Sequence, residues 1–157
     1  MKKMDRKLRI SAGAIVIENN KILLVRHGAA RHGRSFLVGP GGRVENNESI
    51  PQAAAREVKE ETGLDVNPCK ILLIEDLVSP HNRVVKIWFL CEPIGGQLLK
   101  TQNAIDEGIV EARWYRKEEL KDEVVYPSIL MNINWREFLK DSGEIKYLAS
   151  NVADDDL

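Results

Sequence analysis

The sequence predicts a single α/β domain in which helices lie on both sides of a mixed β-sheet. Two pairs of apolar, β-branched runs, 10–17 with 22–25 and 71–78 with 84–91, are each separated by a short polar turn, as in β-hairpins. Between the two pairs lies a segment, 49–63, that carries the start and stop signals of a helix. Strands and helices therefore interleave along the chain, without repeats or low-complexity linkers.

The remaining elements follow from local patterns. The first hairpin turns at Asn19 and Asn20, which tolerate the positive φ of a tight turn, and the second turns over 79–83. A short strand over 112–115 is predicted to precede a helix that starts at 117–120. Helical spacing of apolar residues predicts a last helix over 129–140.

Length and composition limit the function classes. A chain of 157 residues fits one domain with a sizeable core, since chains of this size bury roughly 70% of their unfolded surface. We expect residues 1–7 and about 143–157 to be peripheral or frayed. The net charge of −1 argues against a bulk nucleic-acid or membrane binder.

No apolar run approaches the eighteen or so residues that would span a membrane. Cys69 and Cys91 are isolated from each other and from histidines at zinc-ligand spacing. We therefore expect both to be small core residues in a reducing compartment, which predicts a cytoplasmic location.

The central helix is predicted from its two ends. Ser49 followed three residues later by Gln52 forms a capping box, and Pro51 falls in the first turn, where a missing N–H group does no harm. Gly63 supplies the left-handed stop.

Three acids border the buried face of this helix. At about 100° per residue, Glu57, Glu60 and Glu61 fall within an arc of about 100°. Like charges at this spacing repel one another, so a cation should compensate them, and hard oxygen ligands favour Mg²⁺ or Mn²⁺. The alternative is a solvated helix face whose acids pair with Arg56 and Lys59.

The whole segment 42–64 resembles the signature of the Nudix hydrolases. Gly42, Glu48, Arg56-Glu57-Val58, Glu60-Glu61 and Gly63-Leu64 occupy every fixed position of that pattern, with the family's spacing. The order of elements extends the resemblance to MutT-like Nudix proteins over most of residues 8–140. It implies a Nudix-type α/β/α sandwich with a central mixed sheet, formed as one domain over 1–157.

The resemblance also implies an activity. Members of the family are Mg²⁺-dependent pyrophosphohydrolases, for which Mn²⁺ may substitute, and they act on small nucleotides. The implied substrate is a nucleoside diphosphate linked to another moiety (ADP-ribose-like, or a nucleotide sugar) or a nucleoside triphosphate. Two alternatives remain: a catalytically silent Nudix-fold regulator that binds nucleotides, and a structural module. The intact acid cluster argues against both.

Roles carry over residue by residue as what the resemblance implies. Glu60 and Glu61 are the expected metal ligands, with the backbone carbonyl of Gly41, and Glu57 is a water-orienting, base-like or ligating carboxylate. Arg56 belongs to the catalytic set but is expected to hold carboxylates in place. Gly42, Glu48 and Gly63 are structural positions within the motif.

A further carboxylate from outside the motif is expected to join the metal site. Glu107 is the first candidate, with Asp106 and Glu111 as alternatives. An ordinary acidic turn is an equally good interpretation of this segment.

The expected substrate contacts lie outside the motif. Basic side chains before the glycine turn could donate charge-assisted hydrogen bonds to phosphates, namely Arg26, His27, Arg31, His32 and Arg34. A solvated loop is the alternative. Pro80 stands where proline, by resemblance, favours ADP-ribose and related substrates. Phe36, Trp88 and Tyr126 could stack on a base or belong to the core. A homodimer is possible by resemblance.

Overall fold

A computed structural model describes residues 5–141 and 143–153. Within these residues, nine strands form one mixed sheet. The strands are β1 (Lys7–Glu18), β2 (Lys21–His27), β3 (Phe36–Val38), β4 (Gly41–Arg43), β5 (Leu64–Val78), β6 (Asn82–Gly96), β7 (Ile109–Arg116), β8 (Val125–Tyr126) and β9 (Lys146–Asn151). The helices are α1 (Ala29–His32), α2 (Ile50–Thr62) and α3 (Gln102–Asp106), and 3₁₀ turns cover Lys117–Leu120, Ser128–Met131 and Trp135–Leu139.

The sheet is ordered β8-β3-β2-β1-β6-β5-β9, and β4 and β7 pair with β1 and β2 outside this path. β1 is the central strand and runs parallel to β6 from the pair Lys7↔Asn82 to the pair Val16↔Cys91. Along its other edge, β1 pairs antiparallel with both β2 and β4. The predicted mixed sheet is therefore confirmed.

Both predicted hairpins are present, with longer strands than predicted. The first turns at Asn19 and Asn20, whose φ angles are 51° and 61°. The second joins β5 to β6. The added parts are 64–70 of β5 and 82–83 and 92–96 of β6, so these two strands pair over most of their length.

The predicted helix α2 is confirmed at both ends. The Ser49 side chain accepts from the Gln52 N–H, the Gln52 side chain accepts from the Ser49 N–H, and Gly63 ends the helix at φ 82°. Ala53, Ala54 and Val58 bury the apolar face of α2 in one core cluster, against Ala12, Ala14 and Val16 of β1. Burial of this stripe orients the acidic residues at its border.

The opposite face of the sheet carries the second core. Ile15 of β1 packs there with Trp88, Trp135 and Phe138. Because neighbouring residues of β1 point to opposite faces, one strand serves both cores. The sheet is thus covered on both sides, as the predicted α/β/α layers require.

The prediction of a continuous helix over 129–140 is wrong. The segment forms two 3₁₀ turns, because Asn134 between them is extended and its side chain accepts from the Arg136 N–H, which caps the second turn. Asparagine favours such caps over helix interiors. The helix predicted to start at 117–120 is likewise limited to one 3₁₀ turn over these four residues.

The segment expected to be peripheral or frayed contains a strand. Residues 146–151 form β9, a mostly exposed strand at the edge of the sheet that pairs in parallel with β5, while 1–4 and 154–157 lie outside the described residues. One prediction about the cysteines needs correction. Cys69 is exposed and is not a core residue, whereas Cys91 is buried as predicted. No helix in the described part of the chain is long and apolar enough to cross a membrane.

Candidate active site

The glycine turn and α2 fit against each other closely. Gly41 pairs with Gly13 of β1, and its N–H group donates to Oε2 of Glu61 at 3.1 Å. A Cβ atom on Gly42 would lie 2.5 Å from Oε1 of Glu57. Any side chain at Gly42 would therefore displace the Glu57 carboxylate, which explains the need for glycine there.

Arg56 is the centre of a network that fixes the acids. Its guanidinium donates to both oxygens of Glu48 (2.7 and 2.9 Å), to Glu57 (2.9 Å) and Glu60 (3.0 Å), and to the carbonyl of Arg43 (3.0 Å). The hydrogen bonds from Arg56 lower the pKa of Glu48 to about 2. Glu48 is thus a permanent anion that orients Arg56, and Arg56 orients the other two carboxylates.

Three carboxylates converge beside this network. Glu57, Glu60 and Glu107 each offer an oxygen, and these oxygens lie within 4.8 Å of one another. Oε2 of Glu57 is buried and has no hydrogen-bond partner. A buried, unpartnered carboxylate oxygen is costly unless a cation satisfies it, so these residues fit a divalent metal ion.

The electrostatics of the acids lead to the same conclusion. Burial raises the pKa of Glu57, and burial together with Glu57 and Glu107 raises the pKa of Glu61. Repulsion of this kind is relieved when a cation binds between the carboxylates. Glu61 lies beside the three-acid cluster and is held by the Gly41 N–H.

Among the three candidates outside the motif, Glu107 is the one that reaches the cluster. Asp106 accepts from the Gln102 side chain at 2.9 Å. Glu111 pairs with Arg113 at 2.8 Å. Neither of these alternatives belongs to the group of converging oxygens.

A cavity of about 270 Å³ lies next to the acids. Gly41 and Glu61 form part of its lining. Its wall is largely aromatic and is formed by His27, His32, Phe36 and Tyr126. The rings of His27 and Phe36 stack at a centroid distance of 4.9 Å and an interplanar angle of 12°. Flat rings in such a wall suit contact with another flat, partly apolar group.

The floor of the cavity contains Trp88, a predicted stacking candidate, together with Glu75 and Lys86, which the sequence did not predict as site residues. Trp88 donates its indole N–H to Glu75 at 2.6 Å, and the Lys86 ammonium lies 4.3 Å from the centroid of the Trp88 ring. Burial lowers the pKa of Lys86. The sequence offers one signal for this floor, because Lys86 and Trp88 are two residues apart in the apolar run 84–91 and therefore share one face of the strand. The pairing of Glu75 with Lys86 follows only from the register of β5 with β6.

The predicted substrate residues separate into two groups. His32 and Arg34 line the cavity, and Arg34 donates to the Tyr126 hydroxyl at 2.8 Å. Arg26 instead donates to both oxygens of Glu123 at 2.6 and 3.1 Å. Pro80 is exposed in the β5–β6 turn and is not among the residues that line the cavity.

Arg31, also predicted to bind substrate, donates to backbone carbonyls of the α3 segment. The three aromatic residues that could stack on a base, Phe36, Trp88 and Tyr126, all line the cavity. Trp88 is at the same time a core residue, with a relative exposure of 1%.

Comparison with known proteins places these features in a family. The family model of the NUDIX domain matches residues 7–132. The chain is similar to an 8-oxo-dGTP diphosphatase of Proteus vulgaris, with 39% identity over 88 residues that cover 55% of this chain and 79% of that protein.

A second relative is longer than this chain. The 8-oxo-dGDP phosphatase of Danio rerio is 38% identical over 110 residues, which cover 69% of this chain and 32% of that protein. The chain thus spans about a third of the length of this relative.

A solved NUDIX hydrolase from Nitrosomonas europaea shares the fold, with a TM-score of 0.71 and 22% identity over 92% of this chain and 81% of that one. The match of the family model over most of the chain confirms the resemblance carried by the segment 42–64. The chain therefore belongs to the Nudix family.

Proposed function

We propose that this protein is a pyrophosphohydrolase that depends on Mg²⁺, with Mn²⁺ able to substitute, and cleaves a phosphoanhydride bond in a small nucleotide. The observation that carries the proposal is the group formed by Glu57, Glu60 and Glu107, with its unpartnered buried oxygen, at the end of an aromatic cavity. Acids and cavity adjoin at Gly41 and Glu61.

In this proposal Glu57, Glu60, Glu61, Glu107 and the carbonyl of Gly41 hold the metal. A bound Mg²⁺ supplies Lewis-acid neutralisation of phosphate charge and a template for an attacking water. We propose that Glu57 also orients or deprotonates that water, because its carboxylate belongs to the group of acids that would hold the metal and the water together.

Arg56 acts in this proposal as the group that keeps the carboxylates in place. Its N–H groups donate hydrogen bonds to Glu48, Glu57, Glu60 and a backbone carbonyl. A guanidinium that is engaged in this way is a support for the acids and has little capacity left for substrate.

We propose that the cavity binds the nucleoside part of the substrate. A base can stack against the wall of His27 and Phe36, while His32 and Arg34 supply donors to the ligand. The names of two relatives favour nucleoside di- or triphosphates with an oxidised guanine. ADP-ribose-like compounds and nucleotide sugars are the second substrate group to test.

A substrate panel tests the activity. Release of nucleoside monophosphate, pyrophosphate or phosphate would be measured from 8-oxo-dGTP, 8-oxo-dGDP, dGTP, ADP-ribose, nucleotide sugars and dinucleoside polyphosphates, each with Mg²⁺, Mn²⁺ or chelator. We expect metal-dependent turnover of one class. A ligand that raises the melting temperature without turnover of any compound would instead support a catalytically silent regulator.

The matched variants are Glu60→Gln and Glu118→Gln. Glu60 belongs to the acid cluster, whereas Glu118 is exposed on the 3₁₀ turn Lys117–Leu120. Loss of a metal-ligating carboxylate should lower kcat by about 100-fold or more, and Glu118→Gln should not change it. Equal activity of the two variants would contradict the ligand assignment.

We further propose a cytoplasmic enzyme whose partner is its small-molecule substrate, without nucleic-acid or membrane binding. Two free cysteines, one exposed and one buried, support a reducing compartment. A homodimer, possible by family resemblance, is measured by sedimentation of the purified protein.

A further inference from the structure

The Arg31 side chain connects the cavity wall to the loop that carries Glu107. Arg31, in α1, donates from Nη1 to the carbonyl oxygen of Glu107 at 3.0 Å and from Nη2 to that of Asp106 at 3.3 Å. The adjacent Gly28 N–H donates to the carbonyl of Gly108 at 3.1 Å. The two segments are therefore joined at three successive backbone carbonyls, of residues 106–108.

The position of these carbonyls matters for the Glu107 carboxylate. Glu107 is the C-cap of α3, so it follows the last helical residue of a helix of five residues. The start of α3 is held by Thr101, whose side chain accepts from the Ala104 N–H and donates to the carbonyl of Glu60 in α2. Arg31 holds the other end.

Arginine suits this task for two reasons. Its planar fork presents two donors side by side, which match two neighbouring carbonyls, whereas the lysine ammonium is a compact point charge. The last carbonyls of a helix also carry partial negative charge, which a cation stabilises.

We propose that Arg31 is a positioning residue that holds Glu107 within reach of the metal, and that it does not bind substrate phosphate. This inference rests on the proposed function in one respect, namely that Glu107 is a metal ligand. Because His32 follows Arg31 and lines the cavity, the same short helix α1 contributes to the ligand wall and to the metal site.

The first measurement is Mn²⁺ binding to the substrate-free protein by titration calorimetry. The variants are Arg31→Ala, Arg31→Lys, Glu107→Gln and the double variant Arg31→Ala/Glu107→Gln. Arg136→Ala is the control, since Arg136 is an exposed arginine on the 3₁₀ turn Trp135–Leu139 and does not line the cavity.

Arg31→Ala should weaken Mn²⁺ binding about 10-fold, as expected for loss of a residue that orients a ligand. Arg31→Lys should restore only part of that loss. In the Glu107→Gln background, Arg31→Ala should have an effect of less than about twofold, because the residue through which it acts is already removed. Arg136→Ala should match the wild type.

Two outcomes would overturn the proposal. The first is an equal loss of Mn²⁺ affinity from Arg31→Ala in both backgrounds. The second is unchanged Mn²⁺ affinity with a raised nucleotide KM, which would make Arg31 a substrate contact after all. If Arg31→Ala does not fold, the same comparison is made with Arg31→Lys alone and combined with Glu107→Gln.

The binding measurement also separates this proposal from the proposed function. If the protein binds Mn²⁺ through Glu107 but turns over no nucleotide, the proposed activity is contradicted. The positioning role of Arg31 is then still decided by the Mn²⁺ affinity of the double variant. Turnover that is independent of Glu107 would contradict the positioning role and leave the activity standing.

Discussion

The indole ring of Trp88 lies directly against the backbone of Gly13, its partner across the parallel pair β1–β6. A Cβ atom built on Gly13 would lie 2.4 Å from Cε3 of that ring. Gly39, in the turn before Gly41, meets the same ring in the same way, with a distance of 2.6 Å to Cζ3. The Trp88 ring, which forms part of the cavity floor, therefore packs against the backbone of two glycines, Gly13 and Gly39.

Gly13→Ala should destabilise the protein by about 1–3 kcal/mol, because the added methyl group forces the Trp88 ring out of its place. Urea unfolding measures the effect. Gly95→Ala is the matched control, since a Cβ atom there would meet its nearest neighbour at 3.6 Å. Equal stability of the two variants would mean that the ring can move without cost.

Arg56→Ala should lower both stability and turnover. The loss leaves Glu48, Glu57 and Glu60 without their shared partner, and with allowance for solvent exposure we expect a cost of about 2 kcal/mol. Arg56→Lys should recover part of the charge but not the forked contact with Glu48. A melting midpoint unchanged in Arg56→Ala would contradict the supporting role.

Glu57→Gln should stabilise the metal-free protein while it abolishes the effect of Mg²⁺. Burial raises the pKa of Glu57 despite the hydrogen bond from Arg56, so a neutral side chain of the same shape removes an unfavourable buried charge and should raise the melting temperature of the metal-free protein. In the wild type, Mg²⁺ at 100 times its Kd should add about 2.7 kcal/mol. Thermal melts with EDTA or Mg²⁺ test both statements, with Glu118→Gln as control.

A lower melting temperature of Glu57→Gln in EDTA would contradict the expected stabilisation. If Glu57→Gln lowered the melting temperature in EDTA, the hydrogen bond to Arg56 would outweigh the cost of burying the charge. The stabilising effect of Mg²⁺ should still be lost, since that effect depends on the carboxylate cluster.

His27 should make stability depend on pH in the mildly acidic range. Burial lowers its pKa from 6.5 to about 4. Below pH 6.5 the unfolded chain therefore binds a proton that the folded chain does not. The free energy of unfolding should fall as the pH drops towards 4 and then level off, with a total change of about 1 kcal/mol after allowance for solvent screening.

His27→Phe removes this titration and keeps a ring to stack on Phe36. Urea unfolding of the wild type and the variant at pH 7.5, 6, 5 and 4 measures the difference in slope. Parallel curves for the two proteins would show that His27 does not contribute.

The sequence predicted those features that depend on neighbours along the chain. Ser49, Gln52 and Gly63 mark the ends of α2 by interactions within a few residues, and the spacing of the acids places them on one side of it. The same reasoning failed at 129–140, because the apolar spacing of a helix also serves two short turns and Asn134 decides between them.

Features that depend on pairing between distant strands could not be predicted in this way. Glu75 and Lys86 become neighbours only through the register of β5 with β6, and Trp88 meets Gly13 only because β6 runs parallel to β1. Arg31 has a basic side chain suited to phosphate, and the sequence does not show that backbone carbonyls of residues 106 and 107 lie within its reach.

The parallel pairing of β1 with β6 also sets the rates at which parts of the site open. Amides of β1 that are bonded to β6 or β4 should exchange with solvent only when the whole molecule unfolds. Amides of the four-residue α1 and five-residue α3 should exchange through local fluctuations. The part of the cavity wall that α1 supplies, at His32, can then move locally to admit and release ligand, while the floor and α2 keep their shape.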